Sequence, residues 1–312
     1  MRTRLDFDRL VHSDWSIADD KRWTAVAVRS QAGWLVEGLT QTPPGAEFLQ
    51  FLFDREKKTL AGFDFPIGLP SSYMSKTKLE FRQLLSNPGS ERTRRFLTPV
   101  ETLADISPLQ PFYRRHPRGG RHANLWQGLG CESFNDLLRE CDRKTAARSR
   151  AESIFWTIGP KQVGKAALSG WQDILIPALA RKACLWPFDG PLKSLESCML
   201  TMAETYPAEA YQHIGMTRIV SKRRQEGRKA AGAAMLLRAS QHNVRFLQTI
   251  ERSIRDGFGE SKDGEDPFDA IAGLCGMIEV ADGRRAEAPP QPTIFSERGE
   301  GWILGQIDLP SG

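Results

Sequence analysis

Five acidic side chains interrupt apolar segments of the chain, where an ionised carboxylate is costly. They are Asp14 in VHSDW, Asp64 in GFDFPIGLP, Glu204 in MAETYP, and Asp266 with Asp269 in EDPFDA. A carboxylate in such surroundings needs a cation, hydrogen-bond donors or a metal ion. Mg²⁺ prefers oxygen ligands, and two such ions about 4 Å apart can activate water and stabilise the departing oxygen in phosphodiester cleavage. The set therefore predicts metal-dependent hydrolysis at a shared carboxylate site.

Each acid on its own also has a structural explanation. Asp14 could accept hydrogen bonds in a turn, and Glu204 could pair with an arginine such as Arg228. Asp266 precedes a proline, which is typical of a helix N-cap, and Asp269 would then face the positive end of the helix dipole. Asp266 and Asp269 share one helix face in either case. Whether Asp266 is a ligand or only a cap stays open at this point.

Short β-branched and aromatic segments predict the strands that would position these acids. The strands are expected at residues 10–17, 23–28, 33–39, 59–65, 198–205 and 301–307. The first three are separated by polar or glycine-bearing turns, as in an antiparallel meander. The next two are apolar runs that follow helices, which is typical of buried parallel strands. Asp14, Asp64 and Glu204 would then lie on or at the ends of three strands that can neighbour one another.

Helical spacing of apolar residues predicts the elements that flank this sheet. The helices are expected at residues 46–56, 134–148, 171–182, 226–240, 244–256 and 267–280. Three antiparallel strands followed by parallel additions make a mixed sheet flanked by helices, an α/β fold. We expect one domain over residues 1–312, with a helical insertion at 87–165 and a Pro- and charge-rich linker at 284–299 before the last strand.

Two arginine-rich clusters could contact phosphates. The candidate nucleic-acid contacts are Arg114, Arg115, Arg118 and Arg121 in one segment, and Lys222, Arg223, Arg224 and Arg228 in the other. Guanidinium groups suit bidentate phosphate contacts, although either cluster could equally be a solvated face. His12 shares a strand face with Asp14 and could orient a water or simply pack.

Composition limits the class of protein. The chain has 312 residues, is 40% hydrophobic and carries a net charge of +5, which excludes disorder of its bulk and permits a polyanionic partner. The apolar runs at 174–180 and 270–278 are shorter than the roughly 18 residues that a membrane span needs. The charged N-terminus lacks the apolar core of a secretion signal. Five scattered cysteines without a CxxC pair favour reduced thiols, and we expect a cytoplasmic protein.

Several motifs together resemble domain-of-unknown-function family 429, whose members are predicted ribonuclease H-like nucleases. The motifs are the early DW strand at 14–15 with Trp34 after it, FDFPIGLP at 63–70, ETYP at 204–207, and DPFDA at 266–270. WPF at 186–188, Lys222 with GR at 227–228, and EGWI at 300–303 also match. The DxxDA motif at a helix start is similar to that of RuvC-type Holliday-junction resolvases. The family's second arginine after GR is absent, since the chain has AAGA at 230–233.

The resemblance implies a ribonuclease H-like five-stranded mixed sheet with two bound Mg²⁺ or Mn²⁺ ions. The implied metal ligands are Asp14, Asp64, Glu204 and Asp269, with Asp266 as an alternative or additional ligand. It implies a hydrolase that cuts DNA or RNA, and junction resolvases act as homodimers. Two other classes stay open: an actin- or sugar-kinase-like phosphotransferase, and a non-catalytic nucleic-acid-binding protein on the same fold.

Overall fold

The computed structural model describes residues 3–54, 56–113, 122–146, 148–157, 162–216, 221–290 and 299–310. Its strands are β1 Arg9–Asp14, β2 Trp23–Ser30, β3 Gly33–Gln41, β4 Thr59–Phe63, β5 Cys184–Leu185, β6 Leu200–Glu204 and β7 Val244–Phe246. Its α-helices are α1 Gly45–Leu52, α2 Ser71–Thr77, α3 Phe81–Ser86, α4 Glu91–Leu97, α5 His122–Gly128, α6 Val163–Gly170, α7 Ile176–Ala180, α8 Pro207–His213, α9 Gln225–Gln241, α10 Gln248–Asp256 and α11 Glu265–Ala281.

The chain divides into two compact units. The first comprises Met1–Asp64, Ala183–Pro289 and Ile303–Ile307, and the second comprises Phe65–Lys182, Pro290–Trp302 and Asp308–Gly312. The predicted insertion at 87–165 lies inside the second unit. The predicted linker at 284–299 is described only outside 291–298.

The first unit contains a seven-stranded mixed sheet formed by the described residues, in the order β5-β6-β4-β1-β2-β3-β7. Strands β1, β2 and β3 pair antiparallel, whereas β4 joins β1 in parallel and β6 joins β4 in parallel. This confirms the predicted α/β class with a mixed sheet flanked by helices. The predicted number of five strands is wrong, because β5 and β7 extend the two edges.

Helix α11 packs on one face of the sheet and forms the core of this unit. Every residue from Pro267 to Ala281 is buried, and a helix that is enclosed on all sides needs apolar or small residues all round. A Cβ at Gly62 of β4 would lie 2.6 Å from the Met277 sulfur, so the strand and the helix meet at a glycine. Helix α1 covers the other face, where its Phe48 ring lies 6.4 Å from that of Phe63.

Two segments that pair with the sheet of the first unit differ from the predicted elements. Residues 244–256, predicted as one helix, form strand β7 and then α10, since Val244 pairs in parallel with Trp34 of β3. The predicted last strand at 301–307 is reduced to a single bridge between Ile303 and Glu204. Gly301 and Gly305 adopt positive φ there, which interrupts extended backbone.

The second unit is built from short helices, α2 to α7. The predicted helix at 134–148 is absent from its described residues, and 3₁₀ turns at Phe134–Leu137 and Glu140–Asp142 take its place. Arg139 is fully buried there and forms a two-pronged ion pair with Asp142, so the segment is fixed by charge pairing rather than by helical packing. Helix α6 continues through a π-helical turn at Trp171–Leu175 into α7. The turn and α7 occupy most of the helix predicted at 171–182.

The cysteines differ from the expectation of reduced thiols. Cys184 and Cys198 form a disulfide, and their Cα atoms are 6.3 Å apart. Cys131, Cys141 and Cys275 are buried thiols. Among the described residues, no helix combines the length and apolarity required to cross a membrane.

Candidate carboxylate site

Strand pairing brings Asp14 and Asp64 together. Ser13 of β1 pairs in parallel with Phe63 of β4, so the next residue on each strand lies at the same edge of the sheet. The two carboxyl groups are hydrogen-bonded to each other, and the Trp15 backbone N–H donates to Asp64 Oδ1 at 2.6 Å. Both side chains are half-buried, so the pair remains accessible from solvent.

Helix α11 adds two more carboxylates to this edge. Gly273 lies against the His12 ring, and Asp269, one turn earlier on the same helix face, lies towards Asp14, two residues after His12. Repulsion from both Asp269 and Asp266 acts on Asp14, which places the α11 acids beside the strand acids. Asp266 is the second residue of α11, whose N-cap is Gly264, so the N-cap explanation of Asp266 is wrong.

Asp269 is the most strongly held carboxylate of the group. It is 5% exposed. The Tyr211 hydroxyl donates to Asp269 Oδ1 and the Lys222 ammonium donates to Asp269 Oδ2. The same ammonium lies 3.0 Å from Glu265 Oε1. Lys222 therefore faces Glu265 and Asp269, and the positive charge of Lys21 acts on Asp266.

Burial and mutual repulsion favour the protonated forms of these acids. Burial raises the pKa of Asp14 well above its ordinary value, and repulsion from neighbouring carboxylates adds to the shift. Burial raises the pKa of Asp64 to about 7 and that of Asp266 to about 6. The pKa of Asp269 is also raised by burial, although Lys222 opposes the shift. When ionised, these four aspartates would carry more negative charge than Lys21 and Lys222 balance.

Glu204 does not join this cluster. In parallel strands paired residues point to the same side, and Glu204 pairs with Phe63, whose ring faces α1. The side chains of Asp14 and Asp64 lie on the opposite side, with His12 and Thr205, whose Nε2 and Oγ1 atoms are 2.9 Å apart. The prediction that Glu204 completes the metal site is therefore corrected: side-chain alternation puts Thr205 at that position.

The His12 side chain of β1 packs against α11 next to the carboxylate site. It is fully buried, and burial lowers its pKa to about 3, so the imidazole is neutral at physiological pH. A Cβ on Gly273 would lie 2.1 Å from His12 Nε2, which shows how closely the ring and α11 pack. The packing interpretation of His12 agrees with this geometry.

The predicted phosphate contacts differ in their surroundings. Arg228 is fully buried and donates to the carbonyl oxygens of Lys222, Gly257, Gly259 and Ser261. It therefore fastens the Lys222 backbone to the loop that leads into α11, which corrects its predicted phosphate role. Arg223 and Arg224 are exposed. The other cluster, Arg114, Arg115, Arg118 and Arg121, lies outside the described residues.

Tyr211, Glu265 and Thr205 belong to the site but were not predicted from the sequence. Thr205 follows Glu204 directly, but β6 is buried on both faces and has no alternation that would identify Thr205 from the sequence. Glu265 lies four residues before Asp269, on the same helix face. Tyr211 reaches Asp269 only through the packing of α8 on α11, for which the sequence carries no local signal.

The carboxylate oxygens at this site are the type of ligand that a hard divalent cation binds. Asp14, Asp64, Asp266 and Asp269 offer carboxylate oxygens, which Mg²⁺ and Mn²⁺ accept as ligands, and their charge exceeds that of Lys222. Within the described ranges, no three Asp, Glu, His or Cys side chains already have the arrangement of a metal site. Binding an ion would require Asp14 and Asp64 to lose their shared proton and the carboxylates to turn towards it.

Comparisons with protein-family models, with curated proteins and with solved structures found no match for this chain.

Proposed function

We propose that this protein is a metal-dependent nuclease on a ribonuclease H-like sheet, which hydrolyses phosphodiester bonds of DNA or RNA. The strand order supports the proposal. The inner strands β3-β2-β1-β4-β6 are three antiparallel strands extended by two parallel ones, the arrangement that the resemblance implies. The added strands β5 and β7 lie at the edges and leave this inner order intact.

The observation that carries the proposal is the meeting of four aspartates at one edge of the sheet. Asp14 and Asp64 share a hydrogen bond at adjacent strand ends, and both Asp266 and Asp269 of α11 repel Asp14. A purely structural role would need cations or donors for each acid, because uncompensated buried carboxylates destabilise the fold. Lys222 compensates Asp269, but the pKa of Asp64 is still raised to about 7. The negative charge of these aspartates is expected at a site that binds a cation.

Asp14, Asp64 and Asp269 would hold the metal, with Asp266 at the mouth of the site. The ion would supply a water of lowered pKa and positive charge opposite the departing oxygen. Asp14 and Asp64 would orient the ion from the rigid ends of β1 and β4. Tyr211 would keep Asp269 in one orientation through its hydrogen bond to Oδ1, and the ion would take the place of the Lys222 ammonium at Oδ2.

The nucleic acid needs cations that are accessible to its phosphates. Arg223 and Arg224 directly follow Lys222 and are exposed, so their guanidinium groups can approach a phosphate next to the carboxylates. Arg228 supports them indirectly, because its bonds to four carbonyls hold the segment that carries them. Phosphate contacts of this kind position a strand without reading its sequence.

The test is cleavage of a labelled panel of single- and double-stranded DNA, RNA, an RNA–DNA hybrid and a four-way junction. Each substrate is incubated with Mg²⁺, Mn²⁺ or EDTA. Wild-type protein is compared with Asp14→Asn and with Glu56→Gln, an exposed acid before the opposite end of β4. We expect metal-dependent cleavage that Asp14→Asn reduces at least about a thousandfold, since it removes a ligand of the ion, and that Glu56→Gln leaves unchanged.

Absence of cleavage by folded, metal-bound wild-type protein would reject the nuclease proposal. Cleavage that survives Asp14→Asn would show that another site, or a contaminant, cuts the substrate. The fold of each variant is checked by circular dichroism, so that loss of structure is not mistaken for loss of catalysis.

A further inference from the structure

Strand β7 leaves one edge of the seven-stranded sheet without a neighbouring strand among the described residues. Its other edge pairs with β3, where the Trp34 N–H donates to the Asn243 carbonyl at 3.2 Å. Successive residues of a strand direct their backbone groups to alternate edges, so the N–H and C=O groups of Val244 and Phe246 point away from β3. These four groups have no hydrogen-bond partner in the described part of the chain.

A groove of about 720 Å³ borders this free edge. Helix α10 contributes Glu251 and Arg255 to it, and α9 forms a wall with a stripe of residues at helical spacing. The α9 stripe consists of Ala233, Leu236, Leu237 and Ser240. Leu237 is 62% exposed. A partner that enters the groove therefore meets unpaired backbone groups and exposed apolar side chains together.

The geometry of β7 sets the side-chain pattern of a strand added at this edge. Val244 lines a small cavity with Met235 of α9 and Ile278 of α11, so its side chain lies on the side of the sheet that these helices cover. Phe246 lies on the same side and Arg245 on the opposite side, because side chains alternate along a strand. In an antiparallel added strand, the residues opposite Val244 and Phe246 would contact the α9 stripe, and the residue between them would lie beside Arg245.

Arg245 indicates what kind of strand fits this edge. It is exposed and forms no ion pair with the described residues. The acid of the groove, Glu251, accepts hydrogen bonds from Arg255 Nε and Nη2. A carboxylate opposite Arg245 would be stabilised by cross-strand attraction. In a two-fold pair of β7 strands that uses all four backbone groups, Arg245 would instead face Arg245 of the second copy, so charge favours an acidic peptide over a second copy.

We propose that the free edge of β7 binds an extended peptide segment of a partner protein as an antiparallel strand, with an acidic residue between two apolar ones. Main-chain hydrogen bonds to Val244 and Phe246 supply the affinity, and contacts with the α9 stripe and Arg245 supply the selectivity. Binding of this kind needs neither a metal ion nor a nucleic acid, so the proposal does not rest on the nuclease function.

The experiment is fluorescence polarisation in EDTA with the labelled, end-blocked peptide Thr-Val-Glu-Val-Thr. We expect binding that is at least about tenfold weaker when the nitrogens of both valines are methylated, since this removes the donors of two main-chain hydrogen bonds and leaves the side chains unchanged. Methylation of the glutamate nitrogen, which points away from β7 in this register, is the matched control and should change the affinity little. Absence of binding at protein concentrations up to about 1 mM, or equal losses in both methylated peptides, would overturn the proposal.

A charge exchange locates the bound peptide. Arg245→Glu should weaken binding of Thr-Val-Glu-Val-Thr several-fold and favour Thr-Val-Lys-Val-Thr instead, because the pair opposite position 245 changes from attraction to repulsion. The control is Arg94→Glu, an exposed arginine of α4 that should leave the wild-type preference unchanged. An Arg245→Glu protein that keeps this preference would overturn the placement of the acid. Should that variant not fold, Arg245→Gln replaces it, with loss of the preference as the criterion.

A second copy of the chain is the competing occupant of the groove. Sedimentation velocity of the protein alone should show a monomer at this edge, unaffected by Leu237→Asp. A dimer that Leu237→Asp dissociates would overturn the proposal in favour of self-association through the α9 stripe.

Discussion

Gly273 of α11 lies directly on the imidazole ring of His12, and this contact sets the distance between the helix and strand β1. A Cβ at position 273 would lie 2.1 Å from His12 Nε2 and 2.2 Å from its Cε1. Because Asp269 precedes Gly273 by one turn and Asp14 follows His12 by two residues, the same contact brings the helix acid to the strand acid. The register of α11 on β1 is thus part of the site.

Gly273→Ala should separate α11 from β1 and destabilise the first unit. Overpacking a core costs about 1–3 kcal/mol, whereas alanine gains only about 1 kcal/mol of helix propensity over glycine. The buried His12 ring has little room to move, so we expect the clash to dominate and unfolding to require less urea. Gly89→Ala is the control, because a Cβ there meets nothing within 4 Å. A Gly273→Ala protein as stable as wild type would contradict the close packing.

Metal affinity should depend on Asp64 and not on Glu204. Asp64 lies beside Asp14, whereas Glu204 lies on the other face of the sheet. Calorimetric titration with Mn²⁺ should show binding weakened at least about tenfold in Asp64→Asn, as expected when a ligand is lost, and little changed in Glu204→Gln. Equal losses in both variants would show that Glu204 reaches the ion and that the face assignment is wrong.

The positions of Asp64 and Glu204 in the structure show what could and could not be predicted from the sequence. An acid directly after an apolar strand is visible in the sequence, and both Asp14 and Asp64 could be placed at strand ends in this way. The segment LTMAE of β6 is buried on both faces, so it carries no alternation from which the side of Glu204 could be deduced. The same limit applies to Val244–Phe246, whose strand exists only through pairing with β3.

Arg228 illustrates a further limit. A basic residue in a charged segment is expected at the surface. Arg228, however, is fully buried and donates hydrogen bonds to carbonyl oxygens of two loops. Only the fold brings the 257–261 loop against α9. By contrast, α11 was predictable from the sequence, because Ile271, Leu274, Cys275 and Ile278 recur at helical spacing after Asp266 and Asp269.

Stability of the metal-free protein should fall as the pH rises from about 4 to about 7. Asp64 has a pKa of about 7 in the folded state against an ordinary value of 3.8, so the folded state binds its proton more tightly than the unfolded state does. Protonation therefore stabilises the fold below pH 4, and this contribution is lost as the pH rises through 7. Thermal unfolding in EDTA across this range measures the effect.

Asp64→Asn is the test of that assignment. The amide does not titrate, so the melting temperature should vary less with pH over the same interval than in wild type. Glu56→Gln should retain the wild-type slope, because Glu56 is exposed. Identical slopes in wild type and Asp64→Asn would show that this carboxyl does not control the pH dependence.

Lys222 should compete with a metal ion for Asp269. Its ammonium donates to Asp269 and lies 3.0 Å from Glu265, and these acids raise the pKa of Lys222 despite its burial, so it stays charged. Lys222→Met removes that charge and leaves the acids to a divalent cation. We expect Mn²⁺ to bind several-fold more tightly, and the metal-free protein to lose about 1–3 kcal/mol of stability because Asp269 loses a charged donor. Calorimetry and urea unfolding measure both effects. The control is Lys229→Met, because Lys229 is half-buried and forms an ion pair with Glu226. Weaker Mn²⁺ binding in Lys222→Met would instead mean that the ammonium orients Asp269 for the ion.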